Sequence, residues 1–171
     1  MSKITPTNKE KKLAADDFII SKTDTKGKIT YCNRIFIDLA GFSEEELLTK
    51  PHSIVRHPDM PKAIFKLLWE RVKAKKEIYA FVKNLCKDGG YYWVYANVTA
   101  STDHNGSVLG YYSVRRKPNE NAVRQIESLY KELLAKERSN GVDASMNYLQ
   151  QLLREKGVGY DEYIVKLQKG S

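Results

Sequence analysis

Two runs and the turn between them decide the fold: Ile78-Tyr79-Ala80-Phe81-Val82-Lys83-Asn84-Leu85, the linker Lys87-Asp88-Gly89-Gly90, and Tyr91-Tyr92-Trp93-Val94-Tyr95-Ala96-Asn97. Both runs are rich in aromatic and β-branched residues, and the linker carries turn residues, so they read as antiparallel strands joined by a reversal. Side chains alternate across a strand, which puts Tyr91, Trp93, Tyr95 and Asn97 on one face and Tyr92, Val94 and Ala96 on the other. The second strand extends to Ser101. After Asp103-His104-Asn105-Gly106 a third strand runs from Ser107 to Arg116, which makes an antiparallel meander.

Toward the N-terminus, Phe18–Thr23 and Lys28–Cys32 flank Asp24-Thr25-Lys26-Gly27, a hairpin signal with Gly27 placed to accept positive φ. From Asn33 the period becomes helical: Ile35, Phe36, Leu39 and Ala40 form one stripe ended by Gly41, and Ser43 to Glu46 is a capping box opening a second short helix. Pro51, Pro58 and Pro61 then disfavour a continuous helix, so residues 51–61 read as a loop. A longer helix starts near Pro61, with Asp59 just ahead of it, and carries Ile64, Phe65, Leu68, Trp69 and Val72 on one face. Beyond Pro118, Ala122, Ile126, Leu129 and Leu133 form a seam. Gly141 breaks that helix. Asp143 is placed to cap a further one bearing Met146, Leu149, Leu152 and Leu153, and Tyr160–Leu167 adds a last helical piece.

The order strand, strand, helices, three strands specifies an α+β fold, a five-stranded antiparallel sheet with helices on one face enclosing a pocket. Three segments follow: a polar, mobile arm over 1–12, a domain over 13–117, and C-terminal amphipathic helices over 118–171 suited to docking or dimerisation.

Composition narrows the classes. The 171 residues are 42% hydrophobic and 29% charged, an ordinary globular mix. No apolar run approaches the roughly 18 residues of a spanning helix, and the Lys-rich start lacks the apolar stretch of a secretory signal, so the expectation is a cytoplasmic chain without membrane insertion. Cys32 and Cys86 are far apart and have no ligand spacing, so neither a disulfide nor a zinc site is expected. The net charge of +8 is dispersed rather than gathered into a run, which argues against nucleic-acid binding.

The chemically loaded stretch is the loop Pro51-His52-Ser53-Ile54-Val55-Arg56-His57-Pro58-Asp59-Met60-Pro61. Arg56 either pairs with Asp59 at the surface or, with a protonatable His57, meets an anionic ligand group such as a pyrophosphate. The histidine spacing is not specific for a metal. The aromatic row on the strand at 91–97 is either core packing or one wall of a slot for a planar ligand. Asn33, Asn84 and Asn97 offer carboxamides suited to the edge of a heteroaromatic ring. No nucleophile-base pattern, phosphate loop or carboxylate pair is present, so no enzyme is expected.

Phe42-Ser43-Glu44-Glu45-Glu46-Leu47, Lys83-Asn84 and Lys87 to Val94 resemble a PAS sensor domain. Arg56-His57-Pro58-Asp59-Met60-Pro61 with Pro51-His52, Trp69, Val82-Lys83-Asn84 and Tyr92-Trp93-Val94 is similar, over roughly Leu13 to Lys117, to the FAD-binding PAS domain of the Aer energy-taxis receptors. The stand-alone PAS subunits of bipartite receptors, the CetB type, are the nearer likeness. The resemblance implies non-covalent FAD whose redox state is sensed, with Asn33, His52, Arg56, His57, Asp59, Trp69 and Asn84 as flavin-site residues. It further implies a membrane-bound partner with HAMP and methyl-accepting segments, with the seam from Ala122 to Leu133 as a docking or homodimer surface. Two other readings stand beside it. One is a cofactor-free PAS interaction module. The other is a flavin photosensor, which needs a cysteine where this chain has Arg56 and His57.

Overall fold

The structure is a computed structural model and describes residues 3–170. β1 (Phe18–Thr23) and β2 (Ile29–Cys32) form the first hairpin, and β3 (Ile78–Leu85), β4 (Tyr91–Thr102) and β5 (Val108–Arg116) form the meander. The sheet order is β2-β1-β5-β4-β3 with every neighbouring pair antiparallel. The five-stranded α+β architecture is therefore as expected. Because β2 and β3 lie at opposite edges, the chain between them must cross one sheet face. It does so through α1 (Arg34–Ala40), α2 (Glu44–Leu47), a 3-10 turn at His52–Val55 inside the proline-rich loop, and α3 (Lys62–Lys73).

Local chemistry sets these helices. Asn33 caps α1, its Oδ1 accepting from Phe36 N, and Ser43 and Glu46 form the expected capping box on α2. Asp59 does not serve the start of α3. Pro61 occupies the cap position and provides no side-chain hydrogen bond. The carboxylate of Glu137, from α4 (Glu120–Asn140), accepts instead from Lys62 N at 2.8 Å and Ala63 N at 3.0 Å. A helix start is an anion site, and here a residue 75 positions away fills it.

α4 and α6 (Tyr160–Lys169) cover the opposite face of β3 and β4, and α5 (Val142–Lys156) packs on α4 and α3. The aromatic row belongs to this packing and not to a ligand slot. Tyr79 and Tyr95 stack, the rings of Trp93 and Tyr130 lie 6.1 Å apart, and Tyr130 Oη donates to Phe81 O at 2.7 Å. Ala122, Ile126, Leu129 and Leu133 are buried here, so the seam expected to be a docking surface is already occupied by the chain's own sheet and helices. Asp143 lies in the first turn of α5, which opens from Gly141, and pairs with Lys66 at 3.0 Å rather than capping.

The N-terminal arm is anchored instead of loose. Thr7 N donates to Gly89 O, and Lys11 N and Tyr91 N bond Tyr91 O and Lys9 O in turn. Gly89, at φ +91, permits the approach, since a Cβ there would lie 2.4 Å from Thr5 O. Among the described residues no helix is long and apolar enough to cross a membrane.

Candidate functional site

A cavity of about 260 Å³ lies between the sheet and the crossing segment. Its floor is every second residue of four strands, as the pleat requires: Ser21 and Thr23, Val82 and Asn84, Ala96 and Val98, Tyr111, Ser113 and Arg115. Its roof is α3, where Phe65, Leu68, Trp69 and Val72 recur at helical spacing, together with the turn bearing His52, Val55 and Arg56. The lining is mostly apolar and aromatic with a few polar groups, the usual make-up of a small-molecule site.

The polar groups lie in two places. At the inner wall Arg115, 2% exposed, donates from Nη2 to Ser21 Oγ at 2.7 Å and lies 3.2 Å from His52 Nε2, while its guanidinium carbon is 4.6 Å from the Phe36 ring centre. Ser21 Oγ is 3.0 Å from the same His52 nitrogen. With donors converging on it, Nε2 is the acceptor of a neutral ring. Burial, reinforced by the Arg115 charge, pushes the His52 pKa down to about 3. Burial also lowers Arg115 to about 10, which leaves it a cation at neutral pH. Asn84 Nδ2, Arg115 Nε and Tyr92 Oη are buried without hydrogen-bond partners. Burial pushes Tyr92 up to about 12, so its phenol is neutral.

The second group is at the mouth. Arg56 lays its guanidinium 3.8 Å over the Phe65 ring, and its side chain makes no hydrogen bond or ion pair among the described residues. Its backbone bridges to Asn84, which ties the loop to β3. Lys26 stands exposed on the rim beside Gly27. Gly27 has φ +83 and a Cβ there would come within 3.2 Å of Trp69, so the β1–β2 turn closes directly on the indole. Trp69 meets Tyr111 edge-on at 5.2 Å.

Of the seven residues expected at the site, His52, Arg56, Trp69 and Asn84 line the cavity, and Asn33, His57 and Asp59 do not. The Asn33 amide is committed to backbone: Oδ1 accepts from Ile20 N and Phe36 N, and Nδ2 donates to Phe18 O at 2.8 Å. His57 Nδ1 accepts from Asp59 N at 3.0 Å. Burial and the neighbouring Lys83 charge lower its pKa, so it is not a second cation beside Arg56. Asp59 pairs with Lys83 at 2.8 Å, and Lys83 lies over the Tyr91 ring. These three hold the loop and the first helix in place. Asn97 donates to Glu77 on the other side of the sheet. The residues that sequence reasoning missed are Arg115, Ser21 and Lys26. A charged residue in phase with Tyr111 and Ser113 on β5 was the available signal, but only the placement of α3 over that face says that it is inside.

Among the described residues no cluster of His, Cys, Asp and Glu could hold a metal ion, and neither cysteine lines the cavity. Burial raises both thiols, Cys86 to about 11, which makes them poor nucleophiles.

The PAS fold family matches residues 29–115. The aerotaxis receptor of Escherichia coli K12 is 38% identical over 129 residues, which is 75% of this chain and 25% of the receptor. A nitrogen fixation regulatory protein of Klebsiella pneumoniae is 27% identical over 57% of the chain and 20% of its own length. The chain thus spans a quarter or less of these curated relatives. Among solved structures, a light-oxygen-voltage domain studied with a flavin analogue superposes with TM-score 0.55 at 24% identity, covering 67% of this chain and 86% of that one. The light state of the blue-light photoreceptor Aureochrome1 gives 0.56 at 23%, covering 67% and 91%. At such identity these two likenesses speak for the fold alone.

Proposed function

Because the chain belongs to the PAS fold family, a family of sensory modules rather than enzymes, and is related to an aerotaxis receptor, we propose that it is a redox sensor that holds FAD and reports its state to a taxis signalling partner. The observation that carries this reading is the cavity itself. Its apolar walls suit a flat ring, and Asn84 Nδ2, buried on the lining without a hydrogen-bond partner, is a donor available to an acceptor on that ring. At about 260 Å³ the cavity is below the usual range of roughly 300–1,000 Å³ for ligand pockets, so it fits a flavin ring and not a dinucleotide. The phosphates would lie over the mouth, where Arg56 has free donors and Lys26 adds charge.

When bound, flavin supplies reversible electron uptake at the ring. The chain's own part is to exclude water with α3 and Trp69, to hold the ring edge with Asn84, and to hold the phosphates with Arg56. His52 shapes the inner wall, and Asn33, His57 and Asp59 act indirectly by fixing the loop and first helix. The partner would be a membrane-bound receptor with HAMP and methyl-accepting segments, with this chain on the cytoplasmic side as a stand-alone subunit of the CetB kind. Docking on that partner, or on a second copy, would use a surface other than the buried seam. The buried thiols weigh against the photosensor alternative.

The test is the visible spectrum of the purified protein with identification of the released cofactor. FAD is the expected result. A colourless protein that cannot be reconstituted would favour the cofactor-free interaction module. Arg56→Ala should lower FAD retention about tenfold or more while circular dichroism stays native. Unfolding with FAD kept in the folded fraction would make Arg56 structural.

A further inference from the structure

Arg115, 2% exposed, is the most deeply enclosed cation among the described residues, and the expected flavin-site residues do not include it. It lies on β5, the central strand, with Ile19 opposite on β1 and Ala96 opposite on β4. An ionised side chain placed there is costly unless something of opposite charge faces it. Nothing does, among the described residues. The groups around it are Ser21 from β1, neutral His52 and the Phe36 ring from the crossing segment, neutral Tyr92 from β4, and the Asn84 amide from β3; Arg56 adds a second positive charge. Ser21 and His52 can bond each other without it, so Arg115 is not needed to satisfy them. Its Nε remains unpartnered, as does Asn84 Nδ2, on the lining of the same cavity.

We propose that Arg115 is a ligand-binding residue that, with Asn84, makes the inner wall of the cavity selective for a ring carrying negative charge on its acceptor edge. The bound ligand would supply the counter-charge that the fold lacks. This rests on the flavin reading for the identity of the ring, and there it has a definite consequence. Two-electron reduction by a chemical reductant such as dithionite takes up either one proton, leaving an anionic ring, or two, leaving a neutral one. A guanidinium against the ring edge favours the first.

The experiment compares wild type with Arg115→Gln, Arg115→Met and Arg115→Lys. In the FAD-loaded protein the midpoint potential is followed from mildly acidic to neutral pH, where an unperturbed reduced flavin ring is still largely neutral. One proton per two electrons is expected for wild type and Arg115→Lys. Two protons, a doubled slope of potential against pH, are expected for Arg115→Gln, with FAD retention reduced about tenfold. An unchanged slope and unchanged retention in Arg115→Gln would overturn the proposal. If wild type holds no flavin, the flavin reading fails, and the cavity is judged by the ligand-free protein alone. Arg115→Met should then melt at the same temperature as wild type or higher, since an uncompensated charge is replaced by apolar volume. A fall of several degrees would show that Arg115 is structural and overturn the assignment.

Discussion

Replacing Glu137 by alanine should weaken the hold of the C-terminal helices on α3 without touching the cavity lining, while the Lys66–Asp143 and Arg71–Asp161 ion pairs remain. The Glu137 carboxylate accepts from Lys62 N at 2.8 Å, Ala63 N at 3.0 Å and Ser145 Oγ at 2.9 Å. α3 has no other side-chain cap, because Pro61 offers none. Losing an ordinary cap costs about 0.5–2 kcal/mol, and hydrogen bonds to a charged acceptor lie toward the upper end. Two backbone donors and the fully buried Ser145 are affected together, so the expected loss is about 2 kcal/mol. For a chain of this size each kcal/mol moves the melting temperature by about 2–4 °C, giving a fall of about 4–8 °C. Denaturant titration and calorimetry measure the loss. Hydrogen exchange should quicken first at the Lys62 and Ala63 amides. Glu137→Gln keeps an acceptor without the charge and should fall between. A loss under about 0.5 kcal/mol with unchanged exchange at those two amides would refute the capping role.

Two further expectations concern the cavity. His52 has a folded-state pKa of about 3 against an ordinary 6.5, so its contribution to stability is fully present above 6.5 and is lost as pH falls from 6.5 toward 3. The loss is at most about 1.4 kcal/mol per pH unit, and the fall of His57 below its ordinary value adds in the same direction. Denaturation at stepped pH should show a shallower decline for His52→Asn than for wild type. Gly27→Ala forces a side chain into the left-handed region and against Trp69, costing about 1–2 kcal/mol by thermal melting and altering tryptophan emission; an unchanged spectrum would show that the turn does not bear on the indole.

Much of the fold was legible because its signals are local. The β1–β2 turn, the Ser43–Glu46 capping box and the alternation in β3 to β5 all lie within a few residues of what they control. The cap of α3 was not legible. Asp59 was the near candidate at the right spacing, but Lys83 holds it at 2.8 Å, and the working carboxylate comes from another element. Similarly, the Lys-rich arm reads as loose because nothing in it shows that the β3–β4 turn has open backbone groups to receive it.

For the site, sequence by itself marked the loop from Pro51 to Pro61 and the aromatic and aliphatic stripe of α3, since residue type and spacing are enough to mark a polar loop beside an amphipathic helix; Asn84 was one of three carboxamides, singled out together with Asn33 by the family resemblance. Only the tertiary structure decided which of those side chains face the cavity. It turned the aromatic row of β4 to the C-terminal helices, withdrew Asn33, His57 and Asp59 into backbone and salt-bridge contacts, and brought in Arg115. Alternation along a strand gives two faces but not which is inside. That choice is made by the crossing segment, which lies over the face that carries Arg115, while the sheet order β2-β1-β5-β4-β3 puts its strand at the centre and so encloses the cation.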